Sequence, residues 1–234
     1  MSGAIATGAP PPDPARPSVT ARRPASPWRT ALLLIGVFCA FLFLRVFAFQ
    51  PFRIPSGSMI PSLQPGDHLF ANKLVYRFHP PARGDVVIFP YPREPSKDFV
   101  KRVVGVAGDT VEIRDGALVL NGVPVDKAVG GECSYQDLDE ENVFGERRCV
   151  NFDETLDGRT FRVYRAPGGS APSFAPVTVG AGQLYVLGDN RDNAHDSRYW
   201  GTVPVETVKG RAGLIWWSSG PRGLRGERLF TFVH

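Results

Sequence analysis

The run Ile54-Pro55-Ser56-Gly57-Ser58-Met59-Ile60-Pro61-Ser62-Leu63 stands between a long apolar segment and the first strand-like stretch. Pro55 and Pro61 fix their own φ and push the residues before them towards extended geometry. Gly57 opens dihedrals that other residues adopt only at a cost. A small hydroxyl on so constrained a backbone is an aimed nucleophile, or the segment is an ordinary Pro/Gly/Ser turn. The flanking sequence decides between the two.

Upstream, Ala31–Leu44 (ALLLIGVFCAFLFL) carries no charge, Arg45 interrupts, and Val46-Phe47-Ala48-Phe49 resumes the apolar run. As a helix, 31–49 extends roughly 28 Å, enough for a bilayer core. Arg45 lies near its far end, where an arginine snorkels to the interface. Arg16, Arg22, Arg23 and Arg29 precede it, so the N-terminus is expected in the cytoplasm and the rest outside. The competing reading is a signal peptide cut after Val46-Phe47-Ala48. Arg45, three residues before that cut, argues for an uncleaved anchor. Residues 1–27 hold seven prolines and almost no large apolar side chains, the composition of a disordered tail.

Downstream, 25 glycines and 22 prolines in 234 residues argue for short strands and many turns. Strands are expected at 67–76, 86–89, 99–106, 161–165, 183–187, 213–217 and 229–233. A hairpin is expected through Asp115-Gly116, joining 110–114 to 117–120. Residues 126–160 and 168–182 read as loops. The net charge of +4 is modest and forms no basic stripe, so nucleic acid is not an expected partner. Cys39 sits in the apolar run. Cys133 and Cys149 lack histidines or further cysteines at zinc spacing. They form a disulfide if this part lies outside the cytoplasm, or two unpaired thiols otherwise.

Two further stretches carry chemistry. In Phe99-Val100-Lys101-Arg102-Val103-Val104, adjacent cations in an apolar strand point to opposite faces, so one must enter a groove or the interior. A desolvated lysine loses its preference for the ammonium form and can serve as a base; an arginine cannot. A strand lysine snorkelling to water is the plainer alternative. Leu187–Gly201 (LGDNRDNAHDSRYWG) crowds Asp, Asn and Arg beside Tyr-Trp. Its spacing lacks the order of a calcium loop ending in Glu.

Together PSGSMIPSL, RGDVVIF, KRVVG and GDNRDNAHDSRYWG, in this order after an apolar anchor, resemble the type I signal peptidases. These are membrane-anchored serine endopeptidases that remove signal peptides. The resemblance runs from the anchor to the C-terminus. It implies Ser58 as nucleophile and Lys101 as general base. Ser56 and the Ser58 N–H would be the oxyanion donors, and Asp196 with Arg198 a supporting ion pair. Ile54, Pro55, Met59, Leu63, Phe99 and Val100 would line shallow apolar pockets suited to an Ala-X-Ala signal. No cofactor or metal is implied.

The implied fold is all-β, with two antiparallel-sheet domains behind one transmembrane helix. The tail would be 1–27, the anchor 28–50, the catalytic domain 51–107 plus 181–234, and an inserted β domain 108–180. The expected partners are signal peptides of exported preproteins and membrane phospholipid. The expected place is the bacterial inner membrane, with the catalytic part extracytoplasmic and monomeric. Phe47, Phe49, Phe52, Trp216 and Trp217 would form an apolar rim at the lipid surface.

One departure stands out: the family often has a serine at the position of Ala194, whose hydroxyl helps to hold the lysine. His195 next door invites a Ser-His alternative, without motif support. The rivals are a tethered β module that binds extended peptides without cutting them, and a self-cleaving Ser-Lys repressor protease.

Overall fold

The structure is a computed structural model that describes residues 27–139, 141–169 and 172–234, with the backbone alone at 43–47. Of the expected tail, 1–27, residues 1–26 lie outside the described residues and Pro27 instead begins a helix; the side chains of Arg45 and Phe47 lie outside them too. The chain divides into two compact units, 1–40 and 41–234. Helix α1, Pro27–Phe47, begins in the first. Leu32, Leu33, Leu34 and Ile35 are consecutive and all exposed, so its apolar surface is not a single stripe. Among the described residues no helix is long and apolar enough to cross a membrane. The described side chains of α1 end at Leu42.

The second unit is built of antiparallel strands. The large sheet takes β1 (Phe49–Arg53), β2 (Asp67–Asn72), β3 (Val86–Tyr91) and β4 (Glu94–Gly105) from the first half of the chain. Two short sheets follow in sequence. One holds β5 (Thr110–Arg114), β6 (Ala117–Leu120), β7 (Val123–Pro124) and, later, β11 (Phe174–Thr178). The other is a three-stranded ribbon of β8 (Asp126–Leu138), β9 (Phe144–Leu156) and β10 (Arg159–Arg165). The chain then returns to the large sheet with β12 (Gln183–Leu187), β13 (Val203–Pro204) and β14 (Gly210–Gly220). The order across that sheet is β1-β2-β14-β3-β4-β12-β13.

Burial explains the strand sequences. The β3 run Val86-Val87-Ile88-Phe89 is apolar at every position because both its faces are covered. Val86 and Ile88 join one core cluster with Leu69 and Ile215, and Val87 and Phe89 join another with Val103 and Val186. A third cluster, around Val104, Val111, Phe161 and Leu187, joins the large sheet to both smaller ones.

Three expectations need correction. The expected strand 67–76 stops at Asn72, and its last residues turn into a short helix, α2, Val75–Phe78, begun where the Asn72 side chain accepts from Leu74 N and Val75 N. Residues 126–160, read as loop, are mostly the long strands β8 and β9. Within β8 the residues facing inward are Gly131, Cys133, Tyr135 and Asp137, so its alternation runs between polar and polar and leaves no apolar signal. The stretch 168–182 contains β11, paired with β5. Cys133 and Cys149 stand opposite each other across β8 and β9 and form a disulfide.

Candidate active site

The stretch 54–63 follows β1 directly. Ile54 N donates to Asp67 O at 2.8 Å and Gly66 N to Ile54 O at 2.9 Å, extending the β1–β2 ladder by one residue. The chain then turns: Ile60 N donates to Gly57 O at 3.1 Å, and Leu63 N to Met59 O at 2.9 Å. Met59, Ile60 and Leu63 point into the core and anchor the turn. Ser56 and Ser58 are left on the accessible side. Gly57 is not in the left-handed region. It is glycine for want of space, because a Cβ there would lie 2.0 Å from Asp137 Oδ1.

Strand β4 presents Lys101 to this turn. Its register sets Lys101 opposite Val87, and Arg102 opposite Val86 and Leu187. Both cations are buried, on opposite faces, because both faces of β4 are covered here. Lys101 is 3% exposed, and its Nζ donates to Ser58 Oγ at 2.6 Å. Its amine also lies 5.2 Å from the centre of the Phe99 ring. Burial pulls the Lys101 amine down to about 8. Asp196 and Asp189 pull it back up, and Arg198 pushes it down.

Arg102 builds the far side of the site. Its guanidinium holds Asp189 through two bonds of 2.8 and 2.7 Å and reaches Ser62 Oγ at 3.0 Å and Gly84 O at 2.8 Å. Ser62 Oγ also donates to Asp189 at 2.5 Å. The sequence marked Arg102 and Asp189 as dense charge but not as partners. Their pairing needs β4 and β12 to be neighbours, which strand spacing does not reveal.

After β12, the loop 188–196 closes over the turn. Asn190 N donates to Ser58 O and Asn190 Nδ2 to Gly57 O, both at 3.1 Å. Asp196 is fully buried, accepts from Gly188 N at 3.0 Å, and pairs with Arg198 at 2.7 and 2.8 Å. Arg198 also caps Arg191 O at 2.7 Å. Gly188 admits no side chain, since a Cβ would meet Ala194 Cβ at 2.4 Å and Ser58 O at 2.5 Å. Ala194 brings no hydroxyl to the lysine, and among the described residues Ser58 Oγ is its hydrogen-bond partner. His195 Nε2 pairs with Tyr91 OH at 3.2 Å and its ring stacks on Tyr199. The group bonded to Ser58 Oγ is therefore Lys101.

A cleft of about 490 Å³ opens onto Ser58. Ile54, Pro55, Ser56, Met59, Phe99 and Val100 line it, with Lys101 on its wall. Leu63 does not. It is fully buried among Ile54, Met59 and Leu69, beneath the turn.

An antiparallel β scaffold that sets a serine hydroxyl against a dry amine, at an apolar cleft, has the parts of a serine hydrolase. Known proteins place it further. The family described as "Signal peptidase, peptidase S26" matches residues 28–217. A signal peptidase I of Aquifex aeolicus is 35% identical over 219 residues, covering 83% of this chain and 86% of that protein. One from Pseudomonas aeruginosa is 37% identical over 201 residues, covering 76% and 68%. A solved signal peptidase I from Enterococcus faecalis is 28% identical, covers 57% of this chain and 97% of its own, and aligns with a TM-score of 0.34. The chain belongs to the signal peptidase family, peptidase S26, and is a serine endopeptidase. These relatives are signal peptidases I.

The position of Leu63 generates a prediction. Leu63→Ala is expected to cost about 2–5 kcal/mol of stability, as a buried leucine truncated to alanine does. Chemical denaturation measures this, and KM for substrate should stay within about threefold. A raised KM with unchanged stability would return Leu63 to the cleft wall.

Proposed function

We propose that Ser58 is the nucleophile and Lys101 the general base of this peptidase. The observation that carries the reading is the 2.6 Å contact between Ser58 Oγ and a buried amine whose proton affinity is lowered to about 8. A serine hydroxyl is a weak nucleophile until a base removes its proton. A neutral Lys101 takes that proton as Oγ attacks the carbonyl carbon before the cleavage point. The resulting oxyanion receives hydrogen bonds from Ser58 N–H and the Ser56 hydroxyl, the kind of stabilisation that lowers a barrier by several kcal/mol. Lys101 then gives its proton to the leaving nitrogen, and the mature chain departs. In the second half Lys101 deprotonates a water, which attacks the acyl ester; as the C–O bond breaks, Lys101 returns that proton to Ser58 Oγ and the signal peptide leaves with a free carboxylate. A base with one nitrogen needs no carboxylate to choose its tautomer. It needs a dry pocket.

The substrate lies extended beside 54–58 and 97–101, pairing with exposed backbone as an added strand. Small side chains before the cut, in the Ala-X-Ala pattern, suit shallow pockets floored by Ile54, Met59 and Val100. Residues 51–107 and 181–234 act as the catalytic domain, and 108–180 as an inserted one.

The chain works as a monomer tethered to the inner membrane, with its N-terminus cytoplasmic and its catalytic part outside. Support comes from the sequence 31–49 and from the consecutive exposed apolar residues of α1, which water solvates poorly. Phospholipid contact by an apolar rim is supported by the exposure of Phe49 and Trp217. Trp216 instead stacks on Phe70 and stands edge-on to His68.

Cleavage of a preprotein by the wild-type chain, Ser58→Ala and Lys101→Met tests the pair. Both variants should lose more than about 10³-fold in kcat/KM, and a Ser58→Ala chain that still cuts would leave a peptide-binding module. Since only the neutral amine accepts a proton, activity should climb about tenfold per pH unit below 8 and level off above it. Lys101→Arg should remain inactive throughout, because guanidinium does not deprotonate. The anchor has its own test: the full chain should stay with the membrane pellet after an alkaline carbonate wash. Its recovery in the supernatant would end that part of the reading.

A further inference from the structure

We infer that the ribbon of β8 and β9 is a positioning element for the nucleophile turn, acting through Tyr135 and Asp137 on Asn190, Asn193 and Gly57. This rests on the reading of Ser58 as nucleophile. Three contacts carry it.

The first reaches the oxyanion donor. Asn190 Nδ2 donates both to Tyr135 Oη at 3.0 Å and to Gly57 O at 3.1 Å. The Gly57 carbonyl and the Ser58 N–H belong to one planar trans peptide, in which C=O and N–H point in opposite directions. Fixing Gly57 O therefore aims Ser58 N–H. Asn190 N fixes the next carbonyl, Ser58 O, at 3.1 Å. Gly57 O can only accept, so it sets which end of the amide faces the turn, and the Tyr135 hydroxyl, accepting from Nδ2 and donating to Oδ1 at 3.4 Å, restrains the side chain against swinging away.

The second contact places Asp137 Oδ2 2.6 Å from Asn193 Nδ2, while Oδ1 accepts from Leu138 N at 2.9 Å. Asn193 lines the cleft. Asp137 is 2% exposed and bonds the neutral amide of Asn193; burial raises its carboxyl above the ordinary aspartate range, against the backbone bond from Leu138 and the nearby charge of Arg147.

The third is the approach of that carboxyl to Gly57, where it occupies the space of the missing side chain. It bears on the residue between the two serines. Cys133, Tyr135 and Asp137 share the inward face of β8, and the disulfide from Cys133 to Cys149 ties that face to β9.

Preprotein cleavage by the full chain tests the role. Tyr135→Phe and Asp137→Ala should each lower kcat about 10–100-fold, the scale expected when reacting groups are displaced by a fraction of an ångström to 1 Å. KM should stay within about threefold, and the midpoint of the pH profile should remain that of Lys101. Gly57→Ala should lose at least about 10²-fold in kcat alone. In an Asp137→Ala background, where the space is free, its further cost should shrink at least tenfold, the non-additivity of touching residues. Wild-type kcat in both ribbon variants overturns the proposal. So does a loss confined to KM, or a Gly57→Ala effect that simply adds. If Asp137→Ala does not fold, Tyr135→Phe carries the test, since it removes one hydroxyl and no volume. A Ser58→Ala chain that still cleaves overturns the nucleophile reading itself. An inactive Ser58→Ala beside wild-type kcat in both ribbon variants overturns only the positioning role.

Discussion

An ammonium out of water is costly, and the site is arranged around that cost at Lys101. Moving this amine from the ordinary lysine range to about 8 corresponds to roughly 3 kcal/mol of preference taken from its charged form. Two buried carboxylates nearby could cancel the effect, because each attracts a proton to the amine. Each is instead matched with its own guanidinium: Asp196 with Arg198, and Asp189 with Arg102. A paired carboxylate presents a dipole rather than a full charge, and a dipole's field falls off faster with distance. The ion pairs can thus brace the loop beside the lysine without recharging it.

Those pairs are a poor way to gain stability, since desolvating two charges offsets most of their attraction. Their position gives a better account of them. Arg102 is the neighbour of Lys101 on β4 and reaches Ser62, just after Ser58 in the serine turn. Arg198 reaches the carbonyls of Arg191 and Ala194 in the loop that covers it. Each guanidinium joins segments far apart in sequence, with fixed geometry and several donors, as a planar fork can and an ammonium cannot. The same strand therefore carries an amine that burial drives towards its neutral form and, beside it, a guanidinium that braces distant segments.

What could be read from the sequence follows the same division. The meeting of Ser58 with Lys101, and of Asp196 with Arg198, was expected from the motifs that resemble a known family, and the structure brings each pair together. The hairpin through Asp115-Gly116 and the apolar run of β3 were legible because turn chemistry and burial both write into local sequence. Leu63 was misplaced because an apolar residue near the serine turn looks the same whether it lines a cleft or lies beneath it. Strands β8 and β9 of the ribbon were missed because a strand with polar residues on both faces has no hydrophobic alternation. The 13-residue strand β8 buries aspartate and tyrosine where a sheet usually buries valine and isoleucine.

Gly57 shows how a correct observation can carry the wrong reason. The sequence suggests a glycine chosen for unusual dihedrals, whereas the backbone there is one that other residues adopt. Its constraint comes from Asp137, eighty positions later, whose carboxyl fills the space in which a side chain would sit. The tightness of the turn is thus a property of the ribbon as much as of the two prolines. Local stiffness narrows the directions in which Ser56 and Ser58 can point. Contacts from 135–138 and 188–196 select one of them, and the serine turn takes its geometry from segments that fold around it.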